Sequence, residues 1–222
     1  EHSRDGAYFN AYDLLTNVFA SQVLHELSGY FKETDPQSAA EWEAYAEKIV
    51  QGIHKNLVAE VDGKTTYAEM ISIDKLPTSV GEVVEDDNFY IGFSWVNMFP
   101  AGLGWYAMDD EIMNNTYEAY LKYGSKTYFG KYQMLEADSI FRSSEDYATN
   151  SNHVIGKGLA WEIIYCYNTG RYERVRELIS FIEENSDEMY RETWSNVGGG
   201  GDTANQEHAS WMLIANEHAC HF

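Results

Sequence analysis

Residues 153–167 read HVIGKGLAWEIIYCY, and residues 171–184 read RYERVRELISFIEE. The first stretch is nearly apolar: Ile155, Leu159, Trp161, Ile163 and Ile164 cover more than one face. A helix of that kind is expected to be buried on several sides. Asn168-Thr169-Gly170 then breaks the chain. The second stretch is amphipathic, with Tyr172, Val175, Leu178, Ile179 and Ile182 at helical spacing and charges elsewhere. The two together predict a helical hairpin with an apolar inner helix and an amphipathic outer one.

The same alternation recurs outward from this pair. Residues 10–30 form an inner helix with few charges, and 38–58 an outer one after the breaker Thr34-Asp35-Pro36. Residues 93–108 are charge-free, and Asp109-Asp110-Glu111 opens an outer helix to 123, acids in a first turn suiting the helix dipole. Residues 203–219 give a last, mostly neutral helix after the glycine run 198–201, with Asp202 as its expected N-cap. The prediction is seven helices and no convincing strand; Val80–Val84 reads as loop. Stacked hairpins of this kind make an α/α toroid or an α-solenoid. The inner helices start near 10, 93, 153 and 203, which lacks a solenoid's regular period. The expected fold is therefore all-α, one domain over 1–222, with long functional loops at 62–88 and 124–150.

Composition limits the function. The 222 residues carry 36 acids against 15 bases, a formal charge of −21. A 44% hydrophobic fraction and 15% aromatics exclude a disordered chain. The acidic balance argues against nucleic acid and against anionic membrane surfaces, and fits a neutral or cationic ligand. The uncharged stretch 93–108 is too short to span a bilayer and is broken by Pro100. Cys166, Cys220, His218 and His221 are residue types that zinc uses, but two thiols without a CxxC do not make a zinc motif. The sequence calls for no metal or cofactor. The compartment stays open, with a soluble, secreted or periplasmic protein compatible.

The acids and aromatics gather outside the helices. Tyr67-Ala68-Glu69 follows one outer helix and Tyr190-Arg191-Glu192 another. This echo is expected to carry Glu69 and Glu192 toward the mouth of a cavity. Trp194, Asn205, Gln206 and His208 lie close to Glu192 in sequence, and carboxylates, amides and aromatic faces together suit a sugar. Trp95 and Trp161, on inner helices, add aromatic surface. The acidic loop around Asp87 is a further candidate for sugar hydroxyls, and Asp5 stands just ahead of the first inner helix. No HExxH, GxSxG, P-loop or GxGxxG opening a helix is present.

The run Glu192-Thr193-Trp194-Ser195, a glycine-rich gap, Asp202, and then Asn205-Gln206-Glu207-His208-Ala209-Ser210-Trp211 resembles the end of the catalytic domain in six-hairpin glycosidases. These include the processing α-glucosidase, trehalase and glucoamylase types. Gly156–Glu162 and Tyr12–Leu15 are similar to earlier inner helices of that superfamily. The resemblance implies an inverting glycoside hydrolase acting on a neutral, α-linked sugar. Glu192 is then the catalytic base, and the general acid is left open, with Asp5 as candidate. Glu69, Asp87, Trp95, Trp161, Trp194, Asn205, Gln206 and His208 are expected to bind substrate. Two other readings stay open: a sugar epimerase on a similar toroid, using His153 and His208, and a non-catalytic carbohydrate-binding protein. A closed toroid of six hairpins needs twelve helices. The chain is thus expected to be the C-terminal part of a larger toroid, completed by the same protein or another chain.

Overall fold

The computed structural model describes residues 11–72, 89–90, 92–140, 153–186, 190–196 and 205–219. Asp5, Asp87, Asp202, Cys220 and the stretch 80–84 lie outside the described residues. The described chain is mostly helical, with small antiparallel sheets. It forms two compact units: Glu1–Ile91 with Trp105–Thr116, and Gly92–Gly104 with Tyr117–Phe222.

Among the described residues one module occurs three times. A three-residue strand leads into an inner helix, an outer helix follows, and a return strand pairs with the first. In the first module β1 (Ala11–Asp13) leads into α1 (Leu14–Phe31), then α2 (Pro36–Asn56). The hairpin β2 (Val58–Val61) and β3 (Lys64–Tyr67) follows, and β4 (Met70–Ser72) pairs back onto β1 and onto β5 (Phe89–Tyr90). In the second, β6 (Gly92–Ser94) leads into a 3₁₀ turn (Trp95–Met98), α3 (Phe99–Leu103) and α4 (Asp110–Tyr123). The hairpin β7 (Ser125–Tyr128) and β8 (Tyr132–Leu135) follows, and β9 (Asp138–Ile140) pairs back onto β6. In the third, β10 (His153–Ile155) leads into α5 (Gly156–Asn168) and α6 (Tyr172–Asn185), and β11 (Thr193–Ser195) pairs back onto β10. The last described helix is α7 (Gln206–Ala219).

The strands correct the expectation of an all-helical chain. Residues 58–67, expected as a helix end at 58 and loop from 62, and 125–135, expected as loop, are hairpins. Their cause is local: Asp62 and Gly63 both take positive φ, 52° and 74°, which is the geometry of a type I′ turn and the reason for an Asp-Gly pair. Each described strand is two to four residues long, too short to show an alternating pattern. The first inner helix also departs from expectation. On α1 only Leu14, Val18 and Ser21 are buried, while Phe19, Val23, Leu27 and Tyr30 are exposed. In α6 the buried line is Val175, Leu178 and Phe181, and Tyr172 faces solvent.

In the first unit, Trp105 is buried and its indole N–H donates to Ser21 Oγ at 2.9 Å. The Tyr67 backbone N–H donates to Thr116 Oγ1 at 2.8 Å, tying β3 to the middle of α4. Asp13 caps α1 by accepting from the Thr16 N–H, and Asp35 caps α2 ahead of Pro36.

The second unit is built around α5, where Gly156 and every residue from Gly158 to Cys166 is buried. That burial includes one acid. Glu162 is 1% exposed and receives the Tyr117 hydroxyl proton at 2.8 Å. Arg174 Nε donates to the same carboxylate at 2.9 Å, and Arg174 Nη1 donates to the Gln133 carbonyl. The Cys166 thiol donates to the Tyr117 oxygen at 3.3 Å, and burial pushes that thiol up to about 12. One ion pair thus joins α4, α5, α6 and β8. Arg174 Nη1 also pairs with Glu177 at 2.8 Å, so it is removal of Arg174 that leaves a buried charge, Glu162, uncompensated, at a cost of roughly 3–5 kcal/mol. Arg174→Met is expected to lower stability by about that amount in chemical denaturation, and a Glu162→Met/Arg174→Met double variant to recover most of it. A loss below about 1 kcal/mol in Arg174→Met would contradict this role.

Candidate functional site

In the three described modules the start of the inner helix is fixed by one backbone bond. The Leu14 N–H donates to the Glu69 carbonyl at 2.8 Å, the Trp95 N–H to the Ala137 carbonyl at 3.1 Å, and the Gly156 N–H to the Glu192 carbonyl at 2.7 Å. Each bond continues the strand pairing one residue into the helix and satisfies an otherwise orphaned helical N–H. Glu69, Ala137 and Glu192 therefore hold matching places, immediately ahead of the return strand. The Tyr-x-Glu echo has this structural basis. The hairpins match too, since the Ala68 N–H bonds to the Leu57 carbonyl and the Glu136 N–H to the Gly124 carbonyl.

Glu192 is half-buried at the start of α5, and Asn205 Nδ2 donates to its Oε2 at 3.1 Å. Asn205 is also the N-cap of α7. Its carbonyl accepts the first helical bond from Ala209, and its Oδ1 accepts from the N–H groups of Glu207 at 3.0 Å and His208 at 3.4 Å. The cap expected at Asp202 is thus made by Asn205.

His208 is buried on the first turn of α7. The Lys157 backbone N–H donates to its Nδ1 at 3.1 Å, so the neutral ring carries its proton on Nε2. His208 in this way caps the second N–H of α5, as Glu192 caps the first. Gly156 lies under both. A Cβ there would stand 2.5 Å from the Arg191 carbonyl oxygen and 2.9 Å from His208 Nδ1. Only glycine permits that approach. The Tyr190 hydroxyl donates to the Gly156 carbonyl at 2.7 Å.

Lys157 supplies the cation of the cluster. Its ammonium is 3.0 Å from Glu207 Oε1 and 4.3 Å from the centre of the Trp95 ring. The sequence reading left Lys157 and Glu207 out of the site. A lone cation in an otherwise apolar stretch, flanked on both sides by glycine, was the available signal.

The expected site residues divide into two groups. Glu192, Asn205, His208 and Trp95 come together around the starts of α5 and α7. Gln206 is exposed at the first position of α7. Trp194 is buried instead. Its indole N–H donates to the Asn185 carbonyl, and its ring packs on Phe181 and Tyr190. Trp161 is buried as well, among Trp95, Phe99 and Trp211. Neither tryptophan offers an open face to a sugar, because both side chains point into the packed interior of their unit. Glu69 belongs to the other unit, and its side chain is 2% exposed rather than at a cavity mouth. No group of three or more metal-ligating side chains occurs among the described residues. No family model matches the sequence, and no curated protein matches it.

Burial holds His208 below the ordinary imidazole range, and the Lys157 ammonium adds to this, while Glu192 and Glu207 oppose it. Unfolded, the ring titrates near the ordinary imidazole value of 6.5. Its contribution to stability is complete above that pH and is lost as pH falls through the lower folded-state value. A proton-NMR titration is expected to give His208 a midpoint below 6.5, with the pH slope of melting in that window reduced in His208→Gln. A midpoint at or above 6.5 would contradict the assignment.

Proposed function

We propose that the cluster at the starts of α5 and α7 is a glycoside-hydrolysing site, with Glu192 as the base that activates water. The observation that carries this reading is the placement of Glu192. Its backbone is locked by the ladder bond to Gly156, and its carboxylate is held by Asn205 yet half open to solvent. A general base needs that combination of fixed direction and access to water. Glu192 and Glu207 place two carboxylates in the cluster, with Lys157 and Arg191 as its cations. That balance suits a neutral sugar, and the carboxylates suit the positive charge that develops on it as the bond to the leaving group breaks.

The wider proposal is an inverting hydrolase of α-linked sugars on an α/α toroid, with Asp5 as the candidate acid. The recurring strand–helix–helix–strand module supports a toroid. So does the apolar stripe left exposed on α1, together with exposed Leu213 and Ile214 on α7. Such faces are normally covered, here by further hairpins of the same protein or another chain. Sugar epimerisation is the second reading, favoured by a buried, neutral His208. The Lys157 N–H occupies Nδ1, however, so the ring is arranged to donate from Nε2 rather than to accept a proton.

Hydrolysis of a panel of aryl α-glycosides tests the first reading, with the product anomer read by NMR. Glu192→Gln is expected to lower kcat by on the order of 10²- to 10⁴-fold, and the first product is expected to be the inverted anomer. Full activity in Glu192→Gln, or retention of configuration, would contradict it. Loss of epimerisation in His153→Ala and His208→Ala, with no hydrolysis in the parent, would favour the second.

A further inference from the structure

We infer that Asn205 is a positioning residue for Glu192, and that the α7 cap is what aims it. This rests on the reading of Glu192 as the base. An Asn side chain has one accepting oxygen and one donating nitrogen. The two N–H groups of the first turn of α7, from Glu207 and His208, both point at Asn205 and require an acceptor. They take Oδ1. The NH₂ group is thereby forced to the opposite side, where Glu192 Oε2 lies 3.1 Å away. The amide cannot flip without setting its NH₂ against two N–H donors and its oxygen against a carboxylate. Helix capping and carboxylate orientation are therefore one interaction.

The consequence for the reaction is specific. One carboxylate oxygen of Glu192 is engaged by Asn205, and the other is left to take the proton from water. Among the described residues, charged groups near Glu192 include Lys157 on α5, Glu207 and His208 on α7, and Arg191 beside it in the chain. The role differs from the substrate contact expected for Asn205, because both ends of its amide are occupied within the protein.

Asn205→Asp separates capping from orientation. Aspartate caps a helix as well as asparagine does, but it presents an oxygen to Glu192 in place of a donor. The variant is expected to melt within a few degrees of the parent, with kcat on α-glycosides reduced on the order of 10- to 100-fold and KM unchanged. The acidic limb of its pH–rate profile is expected to move to higher pH, since a neighbouring carboxylate disfavours ionised Glu192. A kcat within twofold of the parent would overturn the inference. So would a raised KM at unchanged kcat, which marks a substrate contact.

A second readout needs no activity. In ¹³C/¹⁵N-labelled parent protein the Asn205 side-chain NH₂ signals, assigned by triple-resonance experiments, are expected to shift as Glu192 is titrated with acid. That shift is expected to vanish in Glu192→Gln. Its persistence in Glu192→Gln would overturn the pairing even if Asn205→Asp failed to fold. A parent that hydrolyses no glycoside, but whose Asn205 signals follow Glu192, would remove the hydrolase reading and leave the pairing intact.

Discussion

The ladder bond that carries strand pairing into the first residue of the inner helix in the three described modules is the constraint on which the site depends. In the third module it runs from the Gly156 N–H to the Glu192 carbonyl. It closes a loop of chain that begins at β10, passes through α5 and α6, and returns at β11. Without it the start of α5 would keep an unsatisfied N–H, and Glu192 would sit on a free connection. With it, Glu192 is fixed against a buried helix, and the bare Cα of Gly156 lets the return strand and His208 approach. The same bond in the other modules starts at Leu14 and Trp95. A recurring backbone solution thus places a different side chain at each return: buried Glu69, Ala137 and half-open Glu192.

Around that bond the polar groups are economical. Asn205, His208 and the Glu192 carbonyl satisfy the first turns of two helices and, in doing so, fix their own directions. The buried Glu162–Arg174 pair has a different task farther along α5. It joins three helices and a hairpin, and Tyr117 and Cys166 complete its hydrogen bonds. A carboxylate so enclosed has no route to solvent, whereas Glu192 has one.

Much of the helical layout was legible in the sequence, since each helix spans enough residues to show its periodicity or lack of charge. The Asp35-Pro36 start of α2 and the Asn168-Thr169-Gly170 break after α5 were read from local chemistry. The hairpins were missed because four-residue strands carry almost no periodic signal, although Asp62-Gly63 marks a type I′ turn. Glu192, Asn205 and His208 could be grouped from sequence because they lie within seventeen residues of one another. Lys157 could not, because it reaches them only through the pairing of β10 with β11. Trp161 was placed in the site by residue type, and Trp194 by residue type and its place two residues after Glu192. Composition does not distinguish an aromatic ring packed in a core from one open to a ligand.

The central claim is that the Glu192 carboxylate faces the reacting sugar from the start of α5. A crystal structure of the protein with a bound iminosugar tests it most directly, since the ring ammonium mimics the charge of the transition state. The account predicts the ammonium, or the water on its face, within about 3 Å of the Glu192 oxygen not held by Asn205. An iminosugar bound away from the starts of α5 and α7, with Glu192 making no contact, would contradict it.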